Sequence, residues 1–289
     1  MDMTGMNFVS WVQALHHPVL DPIVLTITAL GSTAAYMVLL PVIYWTVDRR
    51  RGWLLVLVLL LFMEGNAIMK DFSRDLRPFQ RSPSVTLVGP APESYAFPSG
   101  HAQAAVLLYG GLFLLRPSLP AGFGWGALVF LIGVSRLYLG VHDGPDVMAG
   151  WAVGALGVAV TALLFRLERS ESGDLDGWGF RGGWAALGLG LLAFSPSAGA
   201  LYAAVALTGA ALLERGAGRL DLRGFQNIGN LGGLAWLGRI PAGLMPLLIL
   251  APAYAVTESG DVGFRAGLIA LVSAWAFLGA PALFRRLGI

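Results

Sequence analysis

The sequence predicts an all-α fold, a polytopic bundle of about nine transmembrane helices with the N-terminus outside and the C-terminus inside. Three observations predict it. Of 289 residues, 56% are hydrophobic and only 12% charged, where a soluble domain carries about 25% charged residues. The apolar residues gather into runs near the 20 or so needed to cross a bilayer. Arginines fall unevenly between alternate connections, as the positive-inside rule requires. The absence of cysteine excludes a disulfide scaffold and a zinc–cysteine site, and the composition is unlike that of a disordered chain. A net charge of +2 is too small an excess to suggest nucleic-acid binding.

Residues 6–17 alternate apolar and polar types and include Trp11, His16 and His17, which predicts a short helix lying in the membrane interface. Its histidines are read as headgroup contacts rather than ligands. The opening MDMTGMNFVSW is acidic rather than basic and holds no small-residue cleavage site, so the first span is expected to direct insertion. Spans are expected over 21–46, 52–69, 101–115, 121–137, 147–165, 182–194, 197–213, 240–256 and 264–284. The sixth is short and separated from the seventh only by Ser195 and Pro196, and Pro241, Pro246 and Pro252 predict a kinked eighth. Residues 1–20 then form an interfacial segment, 21–166 a five-span core and 167–289 a four-span extension.

Orientation rests on the cations. With the N-terminus outside, the inner connections hold twelve arginines: Arg49, Arg50, Arg51, Arg116, Arg166, Arg169, Arg181, Arg215, Arg219, Arg223, Arg285 and Arg286. The outer side holds Lys70, Arg74, Arg77, Arg81, Arg136 and Arg265, with Arg239 near a span end left unassigned. Five of those six lie in or beside two outer loops, 71–100 and 138–146, where a different reason for charge exists. The longer loop has no evident secondary structure, and connections beyond about 12–15 residues are commonly functional.

Lys70, the only lysine, is followed seven residues on by Arg77. That spacing is nearly two helical turns, so both cations point to one side if the helix continues, and Pro78 ends the helix at Arg77. Ser99 and Gly100 precede the third span. Ser99 is a good N-cap, a helix N-terminus offers free amides to an anion, and Gly100 lets the backbone approach a ligand. Taken alone, such a Ser-Gly pair is simply a cap. His142 and Asp146 are four apart, a spacing that lets a carboxylate hold one imidazole nitrogen and fix its tautomer. Ionisable groups near membrane depth are expensive and mark sites, and here they converge at the outer ends of spans two to five. Three cations with a helix N-terminus suit a phosphate dianion, and a histidine oriented by a carboxylate suits a nucleophile or base. That combination asks for phosphoryl transfer.

These stretches resemble the tripartite signature of the type 2 phosphatidic acid phosphatase superfamily, which also includes glucose-6-phosphatase and the vanadium-dependent haloperoxidases. Lys70, Arg77 and Pro78 match its first part, Pro98, Ser99, Gly100 and His101 its second, and Ser135, Arg136, Gly140, His142 and Asp146 its third. Asp143 is the unexpected neighbour: after the matched histidine an aromatic or small residue is expected, and a carboxylate there either opposes phosphate or tunes His142. The resemblance covers roughly residues 20–166. The further four spans exceed the usual six-helix lipid phosphatase core and look more like the nine-span layout of glucose-6-phosphatase.

The resemblance implies that His142 attacks phosphorus to form a phosphohistidine and that Asp146 orients it. It implies that His101 protonates the leaving oxygen and then activates water. Lys70, Arg77, Ser99, Gly100 and Arg136 hold the phosphate oxygens, with no metal and no cofactor. Independently, the sequence contains no HExxH and no dense carboxylate cluster beside the histidines. Glu64 and Asn66 either line the substrate cavity or make an interhelical hydrogen bond. Arg74 and Arg81 are placed as headgroup or outer phosphate contacts. Gly150 and Gly154 suit close helix packing but do not establish an oligomer.

Three functions remain open at this point. The first is a phosphatase of a lipid phosphate or pyrophosphate, such as polyprenyl (pyro)phosphate or phosphatidate, in a bacterial plasma membrane with its site on the outer face. The second is a glucose-6-phosphatase-like hydrolase of a soluble ester, and the third a lipid transporter reusing the bundle. The expected partners are the bilayer and the lipid substrate, not nucleic acid.

Overall fold

The computed structural model describes residues 3–169, 238–245, 271, 275 and 279–287. Among these every regular element is a helix: α1 (Met3–Gln13), α2 (Asp21–Ala29), α3 (Thr33–Thr46), α4 (Arg49–Ser73), α5 (Pro78–Arg81), α6 (Gly100–Leu115), α7 (Leu119–Tyr138), α8 (Gly144–Arg169) and α9 (Ala280–Leu287). Three helices are long and apolar enough to cross a membrane, and a fourth span results if the bent pair α2 and α3 counts as one. The expected sixth and seventh spans, and most of the eighth and ninth, lie outside the described residues.

The chain forms two compact units. One comprises Met1–Tyr36 with Leu54–Arg166, the other Met37–Trp53 with Leu167–Ile289. In the second unit Phe284 meets the Trp45 ring edge-on at 5.6 Å, and the Trp275 indole donates to Gly243 O at 2.8 Å. Every candidate site residue belongs to the first unit.

Three local departures from the sequence reading have physical causes. The first expected span is not continuous, because α2 and α3 meet at 46° across a break. Tyr109 Oη satisfies the exposed Leu30 carbonyl there at 2.9 Å. Helix α4 ends at Ser73, not at Arg77. Arg74 adopts a left-handed φ of 51°, and its amide closes on Lys70 O at 3.0 Å, as a C-terminal cap does. The loop after it is not wholly irregular, since Pro78 opens the single turn α5, where its missing N–H costs nothing.

Glycine sets the spacing of α6 against α8. A methyl group on Gly150 would lie 2.5 Å from Ser99 O, and one on Gly154 would lie 2.7 Å from Val106 Cβ. Only bare backbone permits this approach, so the small-residue pair serves packing inside the chain. Gly157 continues the seam toward Leu107 and Phe62. Beside it, Val9 and Val12 of α1 are buried with Val85, Val88, Leu137, Leu139, Val141 and Val147. The exposed edge of α1 carries Phe8 and Trp11, stacked 6.0 Å apart. Its histidines are engaged locally: His16 Nε2 lies 3.3 Å from Asp21 Oδ1, and His17 Nδ1 accepts from the Val19 amide at 3.2 Å.

Candidate active site

Helix α8 begins with a reciprocal cap. The Asp146 amide donates to Asp143 Oδ1 at 3.1 Å, and the Asp143 amide donates to Asp146 Oδ2 at 3.1 Å. This is a capping box, and it starts the helix at Gly144, three residues before the span expected from hydropathy. His142 directly precedes the cap, and its Nδ1 lies 3.2 Å from the same Asp146 oxygen. On the other side of the ring, Arg77 Nη1 lies 3.2 Å from His142 Nε2. A guanidinium only donates and a carboxylate only accepts, so the network assigns the proton to Nδ1 and leaves a lone pair on Nε2.

His142 is 2% exposed. Burial, and after it the charges of Arg136, Lys70 and Arg77, hold its imidazole well below the usual histidine value of 6.5. The ring is therefore neutral at physiological pH.

Backbone carbonyls aim the first two cations. Lys70 Nζ donates to Tyr95 O at 2.5 Å and to Ala96 O at 3.0 Å. Arg77 donates to Ser94 O at 2.8 Å, to Ser94 Oγ at 3.1 Å, to Tyr95 O at 3.2 Å and to Val141 O at 2.9 Å. The two residues reach the same loop from different directions, since the helix that would have aligned them has stopped. Arg136 is different: Nη1 donates to Thr28 Oγ1 at 2.7 Å, while its buried Nε has no partner among the described residues. An unsatisfied buried guanidinium N–H is a donor in search of an acceptor.

Ser99 supplies the N-cap of α6. Its amide donates to Asp146 O at 3.0 Å, which joins the starts of α6 and α8. His101 follows at the second helical position and lies in the electrostatic field of Arg136, His142, Arg77 and Lys70. Beneath this turn, Asn66 Nδ2 donates to Gln103 Oε1 at 2.8 Å and to Pro98 O at 3.3 Å. The interhelical role open to Asn66 is the one observed. A methyl on Gly100 would meet Asn66 Oδ1 at 3.3 Å, so that glycine fits a close approach of α4.

The residues singled out by sequence thus gather where α4 and α7 end and α6 and α8 begin. Arg81 is not a free phosphate contact, because Nη2 pairs with Asp143 Oδ2 at 2.8 Å. Residues that sequence reasoning missed are mostly holders of the others. Thr28 grips Arg136, and the 94–96 carbonyls grip Lys70 and Arg77. Gln13 ties α1 to Thr86 O and Tyr138 O at 2.6 and 3.0 Å. Gly140 lies beneath that tie with φ of 70°, where a side chain would collide with Thr86 O and Gln13 Nε2. The signature glycine was visible in sequence, but its contact with α1 was not.

Residues 51–170 match the family model described as the PAP2 superfamily. The chain is 33% identical over 108 residues to the undecaprenyl-diphosphatase of Sulfolobus acidocaldarius, covering 37% of this chain and 52% of that protein. It is 29% identical to phosphatidylglycerophosphatase B of Bacillus subtilis, covering 49% of this chain and 73% of that one. Mouse sphingosine-1-phosphate phosphatase 2 is 32% identical over 46% of this chain and 39% of its own length. The chain therefore spans about half of the archaeal relative and less of the mouse one. The crystal structure of a transmembrane PAP2-type phosphatidylglycerolphosphate phosphatase from Bacillus subtilis shares the fold, with a TM-score of 0.50 at 23% identity over 59% of this chain and 88% of that one.

Proposed function

We propose that this protein is a membrane phosphatase that hydrolyses a lipid phosphate or pyrophosphate through a phosphohistidine on His142, without a metal ion. One observation carries the reading: the buried imidazole is clamped between a donor, Arg77, and an acceptor, Asp146, which leaves Nε2 unprotonated and nucleophilic.

In the first step the Nε2 lone pair attacks phosphorus and the bond to the ester oxygen breaks, with His101 delivering a proton to that oxygen. In the second, His101 takes a proton from water as the water oxygen attacks phosphorus and the P–N bond breaks. Asp146 stabilises the imidazolium character that develops on His142. Lys70, Arg77, Arg136, Ser99 and the Gly100 amide hold the phosphoryl oxygens, whose charge spreads in the transition state. These cations supply the neutralisation for which other phosphatases recruit divalent ions, and their combined charge repels such an ion. A general acid in the place of His101 contributes about 10² to 10⁴ in rate.

The lipid assignment is supported by the activities for which the relatives are named and by the location of the site at the ends of apolar helices, where a bilayer-anchored ester can present its phosphate. The proposal includes a nine-span, N-out and C-in topology in a bacterial plasma membrane, with the site on the outer face. It also includes the division into an interfacial segment 1–20, a core 21–166 and an extension 167–289. Phosphate release by the purified protein from polyprenyl diphosphate, phosphatidate, phosphatidylglycerophosphate and glucose-6-phosphate tests it. A lipid ester is expected to be preferred in kcat/KM by at least about tenfold, equivalent to roughly 1.4 kcal/mol. Preference for glucose-6-phosphate would reject the lipid reading.

A further inference from the structure

Asp143 is 7% exposed, and each of its oxygens has a separate task. Oδ2 takes the Arg81 guanidinium at 2.8 Å, and Oδ1 takes the Asp146 amide at 3.1 Å. Asp146 Oδ2 in turn receives the Asp143 amide at 3.1 Å and His142 Nδ1 at 3.2 Å. The chain of contacts therefore runs without interruption from Arg81 to the imidazole. Arg81 is itself set from the site side: the Arg81 amide donates to Arg77 O at 3.0 Å, and the Phe79 amide of the same turn donates to Gly140 O at 3.2 Å. Arg77 and Gly140 both belong to the segments that surround His142.

We propose that Arg81 and Asp143 are a positioning pair: their ion pair, continued through the N-terminal cap of α8, holds the Asp146 carboxylate on His142 Nδ1. The inference rests on the phosphatase reading for its kinetic consequences and on the contacts alone for its structural ones. The pair answers a specific difficulty of this site. Asp146 lies within the field of Lys70 and Arg77 as well as Arg81, and a carboxylate free to rotate would turn toward a cation and release the histidine. With Oδ2 already committed to the Asp143 amide, rotation breaks the cap, and Arg81 holds the cap in place by gripping Asp143. Arg81 also neutralises a carboxylate that would otherwise repel an anionic substrate. Partners that orient a metal-ligating histidine alter activity by about 10- to 100-fold when removed, and a pair that orients a nucleophilic histidine is expected to act in the same range.

Two readouts test the pair. With only four histidines in the chain, ¹⁵N-histidine spectra of the purified protein report the His142 tautomer directly, with H142A identifying its signals. R81M and D143A are expected to displace it from the Nδ1–H form, and R81K to restore it. In kinetics, each of R81M and D143A should lower kcat by about tenfold, and the double variant should fall no further than the worse single one. R81K should recover most of the loss. A fall in folded yield alone, with kcat per folded molecule and the tautomer unchanged, would overturn the pair, and so would additive losses in the double variant. The two claims fail separately: a wild-type protein that releases no phosphate from any ester rejects the phosphatase reading, while the tautomer measurement still decides the pair.

Discussion

Arg77 and Arg136 are both almost fully buried, yet the protein treats them in opposite ways. Arg77 is saturated, spending its donors on Ser94, Tyr95, Val141 and His142. Among the described residues Arg136 has one side-chain partner, Thr28, and a buried Nε with none. The first arginine joins two loops and orients the histidine between them. The second is held at Nη1 by Thr28, while its Nε has no partner among the described residues. Two cations that look equivalent in sequence thus differ in how far the surrounding protein already satisfies them.

Substitution of the histidine between them should have the largest effect. H142A removes the attacking nitrogen and is expected to abolish hydrolysis of every ester, with the protein still folded by circular dichroism. H101A should separate substrates by leaving group: an alkyl phosphate is expected to lose about 10² to 10⁴ in rate, and nitrophenyl phosphate much less. Equal losses on both would reassign His101.

The arginines themselves come next. R136M should raise KM sharply while costing little thermal stability, because it deletes a buried Nε–H that no described residue satisfies along with the single bond to Thr28. R77M should lower both activity and stability, since it orphans four acceptors as well as the imidazole. Matching stability losses in the two variants would erase the contrast. T28V tests the same point from outside: it removes the side-chain grip that the described residues place on Arg136, and a rise in KM without a loss of kcat is expected.

The smallest effect is on pH. Because desolvation and the neighbouring cations lower the His142 value, the neutral nucleophile persists as pH falls below 6.5. The acid limb of kcat/KM, corrected for the ester's own second ionisation, should therefore lie below the usual histidine range and shift upward in R136M. For stability the sign runs the other way. Below pH 6.5 the unfolded chain takes a proton that the folded imidazole refuses, so acid lowers stability there. A limb at the ordinary histidine value in both proteins would contradict the electrostatic account.

The candidate residues that the fold brings together are legible in sequence because their chemistry is carried by side-chain type and spacing: a lone lysine before Arg-Pro, a Ser-Gly cap, a histidine four residues before an aspartate. Their holders are not. Ser94, Tyr95, Ala96 and Val141 act through carbonyl oxygens, which every residue possesses, so no residue type announces them. The end of α4 is hidden in sequence for a similar reason. Pro78 is a visible stop signal, whereas a left-handed Arg74 is not. The bend between α2 and α3 escaped because both halves are apolar and the Tyr109 hydroxyl that satisfies Leu30 lies far along the chain. Asp143 is unusual in sequence, but its partner Arg81 is 62 residues away and is brought to it only by the fold.

The most direct test of the central claim is to trap the phosphoryl group on the enzyme. H101A retains the nucleophile but lacks the group that activates water, so a brief reaction with ³²P-labelled nitrophenyl phosphate should accumulate label on the protein. The label is predicted to survive base, to be lost in acid as a phosphoramidate is, and to map to the peptide containing His142. Turnover of the same ester with no protein-bound label, or with label on any other residue, would contradict a His142 phosphohistidine.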